Sequence, residues 1–247
     1  MMLPTGPPWL HLAEGGRKPN WFRNRARHRP FSGGDSISHP ITPLGTVATE
    51  VIDPHNLGAR YILSCNHVLA ALNRAAIGDT VLQPAFADGG RASFDACGFV
   101  DRYVPIRFWP QGGNRVDAAV ARVNPRDVIP FVDWVGVPAG TRAGKSMSPG
   151  ERVFKTGRTT LLNSGQVVAV NVSGWIYYPA FFGGFSAAFF EEQIITSGMA
   201  GFGDSGSLLF DEDRNAVGLL FGGSPTHTFF NDIVEVEREL RVKIAVN

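Results

Sequence analysis

GFGDSGSLLF, residues 201–210, sets an acid and a serine between glycines and then runs into apolar residues that read as a buried strand. Glycine at 203 and 206 opens backbone conformations closed to other residues, so the stretch reads as a tight turn feeding a strand. The same grammar recurs outward in both directions. Short apolar runs bounded by glycine, proline and asparagine fall at 45–52, 61–64, 80–83, 96–103, 118–123, 152–155, 165–172, 192–196, 207–210 and 216–220. So many short strands with turn signals between them predict an antiparallel barrel or sandwich rather than a βαβ sheet. Only the end reads as helix: Asn231 is placed to cap it, and Ile233, Val236 and Leu240 recur at helical spacing. The proline- and glycine-rich stretch 124–150 reads as a crossing between two halves. The expected organisation is a flexible basic arm at 1–38, a first half at 39–130, a linker at 131–150, and a second half with the helix at 151–247.

Composition narrows the classes of partner. A chain of 247 residues, 44% hydrophobic, can bury a sizeable core. Its formal net charge of +1 gives no long-range field to attract nucleic acid or an acidic membrane. Arg17, Lys18, Arg23, Arg25, Arg27 and Arg29 crowd the arm, which reads either as a solvated leader or as a docking or inhibitory segment. The uncharged stretch 167–190 is long enough to cross a bilayer, but Asn171, Ser173, Gly174, Pro179, Gly183 and Gly184 interrupt it. It reads instead as two apolar strands joined by an aromatic-rich connection. Cys65 and Cys97 are too few for a disulfide framework, and prolines and a histidine break up the first residues where a secretory signal would be apolar. A reducing, cytoplasmic location is expected.

Three stretches share one chemical explanation. YILSCNHVLA (61–70) puts His67 at the end of an apolar strand, NRVDAAVARV (114–123) puts Asp117 at the mouth of another, and GDSG holds Ser205. A histidine, an orienting acid and a serine are the base, support and nucleophile that acyl transfer requires. Other chemistries lack their residues: there is no HExxH, no Cys/His set at zinc spacing, no GxSxG and no phosphate-binding loop. No metal and no cofactor is expected.

In SCNHVLA, DAAV, VFKTGRTTLLNSGQVV, GFGDSGSLLF and AVGLLFGGS, the chain resembles the trypsin/chymotrypsin-like serine proteases, specifically the bacterial-type branch without disulfides. The resemblance runs roughly from Thr46 to Leu240. It implies an all-β fold of two six-stranded antiparallel β-barrels packed side by side with a C-terminal helix, and a cleft between them carrying His67, Asp117 and Ser205. The backbone N–H groups of Gly203 and Ser205 would then form an oxyanion hole. Asp204 would turn inward to a cation, which the resemblance places at Lys155, with Arg158 as the nearby alternative. Met199, Gly222, Gly223 and Ser224 would shape the pocket for the substrate side chain. With no acid among them the pocket suits uncharged side chains, and His227 is the alternative, as a reader of an acidic one. Phe221 departs from the family, standing where many relatives carry a serine that supports the aspartate. The expected function is a serine endopeptidase acting on a protein or peptide substrate. The alternative is an inactive binding or scaffold module of the same fold.

Overall fold

The computed structural model describes residues 23–179 and 183–246. It is mostly β with few helices, and strand pairing gathers most strands into two sheets.

A six-stranded sheet runs in the order Lys243–Ile244, Glu50–Asp53, Asn56–Ser64, Ala119–Val123, Ala96–Tyr103 and Thr80–Leu82, every neighbouring pair antiparallel. Its centre is apolar for a simple reason. Residues 61–64 and 119–121 are buried without alternation, so both faces of these strands meet core. A seven-stranded sheet orders Gly140–Thr141, Asn215–Gly223, Leu208–Phe210, Arg152–Gly157, Leu161–Pro179, Phe185–Ser197 and His227–Asp232, and the last strand also pairs with Asn215–Gly223. One hydrophobic cluster draws on both sheets, with Ile62, Leu63 and Val120 from the first and Phe190, Leu208 and Leu219 from the second. A smaller cluster around Met147, Val153, Ile194 and Phe230 lies within the second half.

Against the expected pair of six-stranded barrels, strand pairing gives a sheet of six strands and a sheet of seven, six of which pair in a ring. The extra strand, Gly140–Thr141, comes from the expected linker and pairs in parallel with Asn215–Gly223. Lys243–Ile244, expected in the second half, crosses back to pair with Glu50–Asp53.

The basic arm also needs correction where it is described. Phe31–Gly33 pairs with Val128–Val132, Ser36–Ile37 pairs with Gly45–Thr46, and Phe31 and Ile37 are fully buried. Its arginines find remote partners while staying half-exposed: Arg23 meets Asp133, and Arg27 meets Asp95. Buried Asp35 accepts from the backbone of Ser32 at 2.9 Å and contacts His28 Nδ1 at 2.7 Å. Residues 1–22, with Arg17 and Lys18, lie outside the described residues.

The interrupted apolar stretch forms strands nearly throughout. Leu161–Pro179 and Phe185–Ser197 make one long hairpin whose register shifts between Val167 and Gly174. Such bulges bend and twist a ribbon. The aromatic-rich connection is therefore the paired outer part of this hairpin. No helix among the described residues is long and apolar enough to cross a membrane. The C-terminal helix, Ile233–Leu240, is capped by Asp232, whose carboxylate accepts from the Val234 N–H at 2.9 Å. Asn231, expected as the cap, faces the interior.

Candidate active site

His67 lies in a four-residue helix, Asn66–Leu69, that starts just beyond the apolar strand Asn56–Ser64. Asp117 sits just before Ala119–Val123, the strand hydrogen-bonded beside it. Neighbouring strands thus bring together two residues that are 50 positions apart. His67 Nδ1 stands 2.5 Å from Asp117 Oδ2, and the His67 backbone N–H donates to Asp117 Oδ1 at 3.1 Å. The carboxylate is fully buried, while a fifth of the histidine side chain is exposed. With Nδ1 held this way, Nε2 is the ring nitrogen left for chemistry in the cleft.

Two groups that sequence reasoning missed complete the surroundings of the aspartate. The buried Tyr178 hydroxyl donates to Asp117 Oδ2 at 2.8 Å. The Asp117 N–H donates to the side chain of Asn231 at 2.9 Å, and Asn231 in turn donates to Gln193 at 2.7 Å. Phe221, read from the sequence as a departure from the family pattern, is buried against Phe190 with ring centroids 4.7 Å apart.

The turn at 201–206 is held from both sides. Gly203 and Gly206 have φ of 102° and 97°, values that L side chains rarely adopt. A Cβ on Gly206 would lie 2.1 Å from the Thr46 carbonyl oxygen, so backbone of the first half packs directly on the turn. Among the described residues, no backbone carbonyl takes up the N–H of Gly203 or of Ser205. Unengaged donors at such a turn are what a developing oxyanion needs.

Asp204 points away from the cleft. Its Oδ2 stands 3.0 Å from Lys155 Nζ, and neither side chain touches solvent. The same carboxylate accepts from the N–H groups of Thr159 at 2.8 Å and Gly201 at 2.9 Å and from the Thr160 hydroxyl at 2.6 Å. Burial works to raise its pKa, but Lys155 and these donors outweigh it and hold the carboxyl below its ordinary range. Lys155 is pulled down by burial, with Asp204 acting in the opposite direction. Arg158, the alternative cation, is engaged by Asp88 through both ends of its guanidinium.

His67 and Ser205 line one cleft of about 860 Å³. Gly222, Gly223 and Ser224 line it too, but Met199 does not. Met199 is buried in the smaller cluster with its carbonyl bound to Asn163, and Ala200 and Gly201 reach the wall instead. His227 lies beyond the lining, with Nδ1 at 3.0 Å from the Thr226 hydroxyl. Cys65, His67 and Asp117 bring possible metal-ligand atoms within 4.8 Å of one another. Burial pushes the Cys65 thiol well above its ordinary pKa, and its Sγ donates to the Leu220 carbonyl. It is therefore a poor thiolate donor for an ion. Both cysteines are free and buried.

The sequence matches the model of the trypsin-like peptidase domain over residues 50–219, more than half of its length. The chain belongs to the trypsin-like peptidase family. Solved structures of this peptidase fold match it at low identity. Thermobifida fusca protease A is 18% identical with a TM-score of 0.59, covering 87% of this chain and 98% of its own. Cellulomonas bogoriensis chymotrypsin is 19% identical at 0.57, covering 87% and 98%. A glutamic acid-specific serine protease that uses a histidine triad in substrate binding is 19% identical at 0.56, covering 87% and 100%. Among curated proteins none matches.

Proposed function

We propose that this trypsin-like peptidase is a serine endopeptidase that cleaves peptide bonds through an acyl-enzyme, with its two sheets acting as the two barrels of that fold. The observation that carries the reading is the buried Asp117 carboxylate against His67 Nδ1, in a cleft that also holds Ser205 beside two unengaged N–H groups. Ser205 Oγ attacks the scissile carbonyl while His67 takes its proton at Nε2 and later returns it to the leaving amine. Asp117 holds the tautomer and stabilises the imidazolium, and the N–H groups of Gly203 and Ser205 receive the oxyanion. The acyl-enzyme is then released by water through the same base.

The substrate side chain lies against Gly222, Gly223 and Ser224, with Phe229 and Ile176 also on the lining. Among the described residues of that lining none is acidic, which supports an uncharged side chain over lysine or arginine. A peptide library assayed with the wild type, Ser205→Ala and His67→Ala tests this. Cleavage after uncharged residues should fall by several orders of magnitude in either variant. Undiminished turnover in Ser205→Ala would remove the serine mechanism.

A further inference from the structure

Asp117 is carried by a loop of the first half, yet the second half holds that loop on several sides. The Asn114 N–H donates to the Phe189 carbonyl at 3.0 Å, and the Glu191 N–H donates to the Asn114 carbonyl at 2.9 Å. Asn231 takes the N–H of Asp117 itself. Tyr178, near the end of the first strand of the long hairpin, reaches the carboxylate. Its ring packs edge-on to Phe108 at 6.0 Å and lies 5.6 Å from the His67 ring. Two donors thus converge on one carboxylate oxygen, Asp117 Oδ2: His67 Nδ1 at 2.5 Å and the Tyr178 hydroxyl at 2.8 Å.

We propose, on the peptidase reading above, that Tyr178 is a positioning residue whose buried hydroxyl fixes the Asp117 carboxylate and, through it, the orientation and basicity of the His67 ring. The geometry leaves the hydroxyl little else to do. A buried carboxylate needs its lone pairs satisfied, and Oδ1 is already engaged by the His67 backbone N–H. Burial, with Asp117 beside it, pushes the phenol well above its ordinary pKa, so it remains a neutral donor across the working range. Cys65, buried beside the pair, is a further titratable group that acts on the phenol. The hydroxyl occupies the supporting role for which position 221 offers only a phenyl ring. It also ties the outer hairpin, which forms one wall of the cleft, to the acid of the other half.

Tyr178→Phe keeps the ring and removes only the donor. A hydrogen bond to a charged group of this kind corresponds to a loss of roughly tenfold to hundredfold in kcat, with KM little changed. A second readout needs no turnover: titration of the His67 ring nitrogens by NMR. Losing the donor makes the carboxylate a stronger base toward the imidazole, so the His67 pKa in Tyr178→Phe should move up. In an Asp117→Ala background the same substitution should do nothing further. A fluorinated tyrosine at 178 retains the fold and strengthens the donor, and it should move the His67 titration down. An unmoved His67 titration in both position-178 variants overturns the positioning role, even with wild-type peptidase activity intact. Wild-type protein without peptidase activity, but with a His67 titration that follows residue 178, would fail the peptidase reading and leave the positioning role standing.

Discussion

Lys155 and Asp204 face each other with no solvent on either side, 49 positions apart in the chain. Removing one member of a buried pair strands the other, and Lys155→Ala should therefore cost about 3–5 kcal/mol. Because Asp204 shares the turn with Ser205, the same variant should lose peptidase activity before it loses its fold, as activity and circular dichroism followed through a urea titration would show. The pH dependence has a definite sign. The Asp204 carboxyl is held below its ordinary value of 3.8, so its stabilisation is present above that value and is lost as pH falls through the lower, folded-state value. Urea midpoints measured against pH should show Asp204→Asn lacking this acid limb, and an identical limb in both proteins would contradict the assignment. This pair was legible in VFKTGRTT and GDSG through family resemblance. Tyr178 and Asn231 were not, because their contacts with Asp117 span 61 and 114 residues and no local pattern marks them.

Elements were legible where their own periodicity decides their fate. The strand Ala96–Tyr103 has the expected bounds, and the helix Ile233–Leu240 buries Ile233, Val236 and Leu240 as its spacing requires. Two elements escaped for opposite reasons. The outer hairpin is rich in turn formers, yet cross-strand pairing from Gly174↔Phe190 to Pro179↔Phe185 carries it as strand. The segment from Arg23 to Ser38 is rich in charge and proline, and its order comes from partners supplied by the rest of the chain, including Asp133, Asp95 and Gln83. Phe31 is fully buried and paired beside Val128–Val132, so Phe31→Ala should destabilise the protein by about 3–5 kcal/mol. A urea midpoint equal to wild type would return this segment to the status of a solvated arm.

At the scale of the molecule, each half supplies what the other cannot hold alone. The six-stranded sheet brings His67 to Asp117, and the seven-stranded sheet carries the Ser205 turn, Tyr178 and Asn231. The Thr46 N–H of the first half donates to the Ser205 carbonyl at 2.8 Å, and the Thr46 hydroxyl donates to the Gly203 carbonyl at the same distance, so the turn is braced across the cleft. With Lys155 already against Asp204, the arrangement is expected to form without a freed amino terminus. The most direct measurement is to treat the intact, uncleaved chain with a fluorophosphonate and map the modified peptide. The account predicts one label, on Ser205, lost in His67→Ala. An intact chain that stays unlabelled, or a label that maps to another serine and persists in Ser205→Ala, would contradict it.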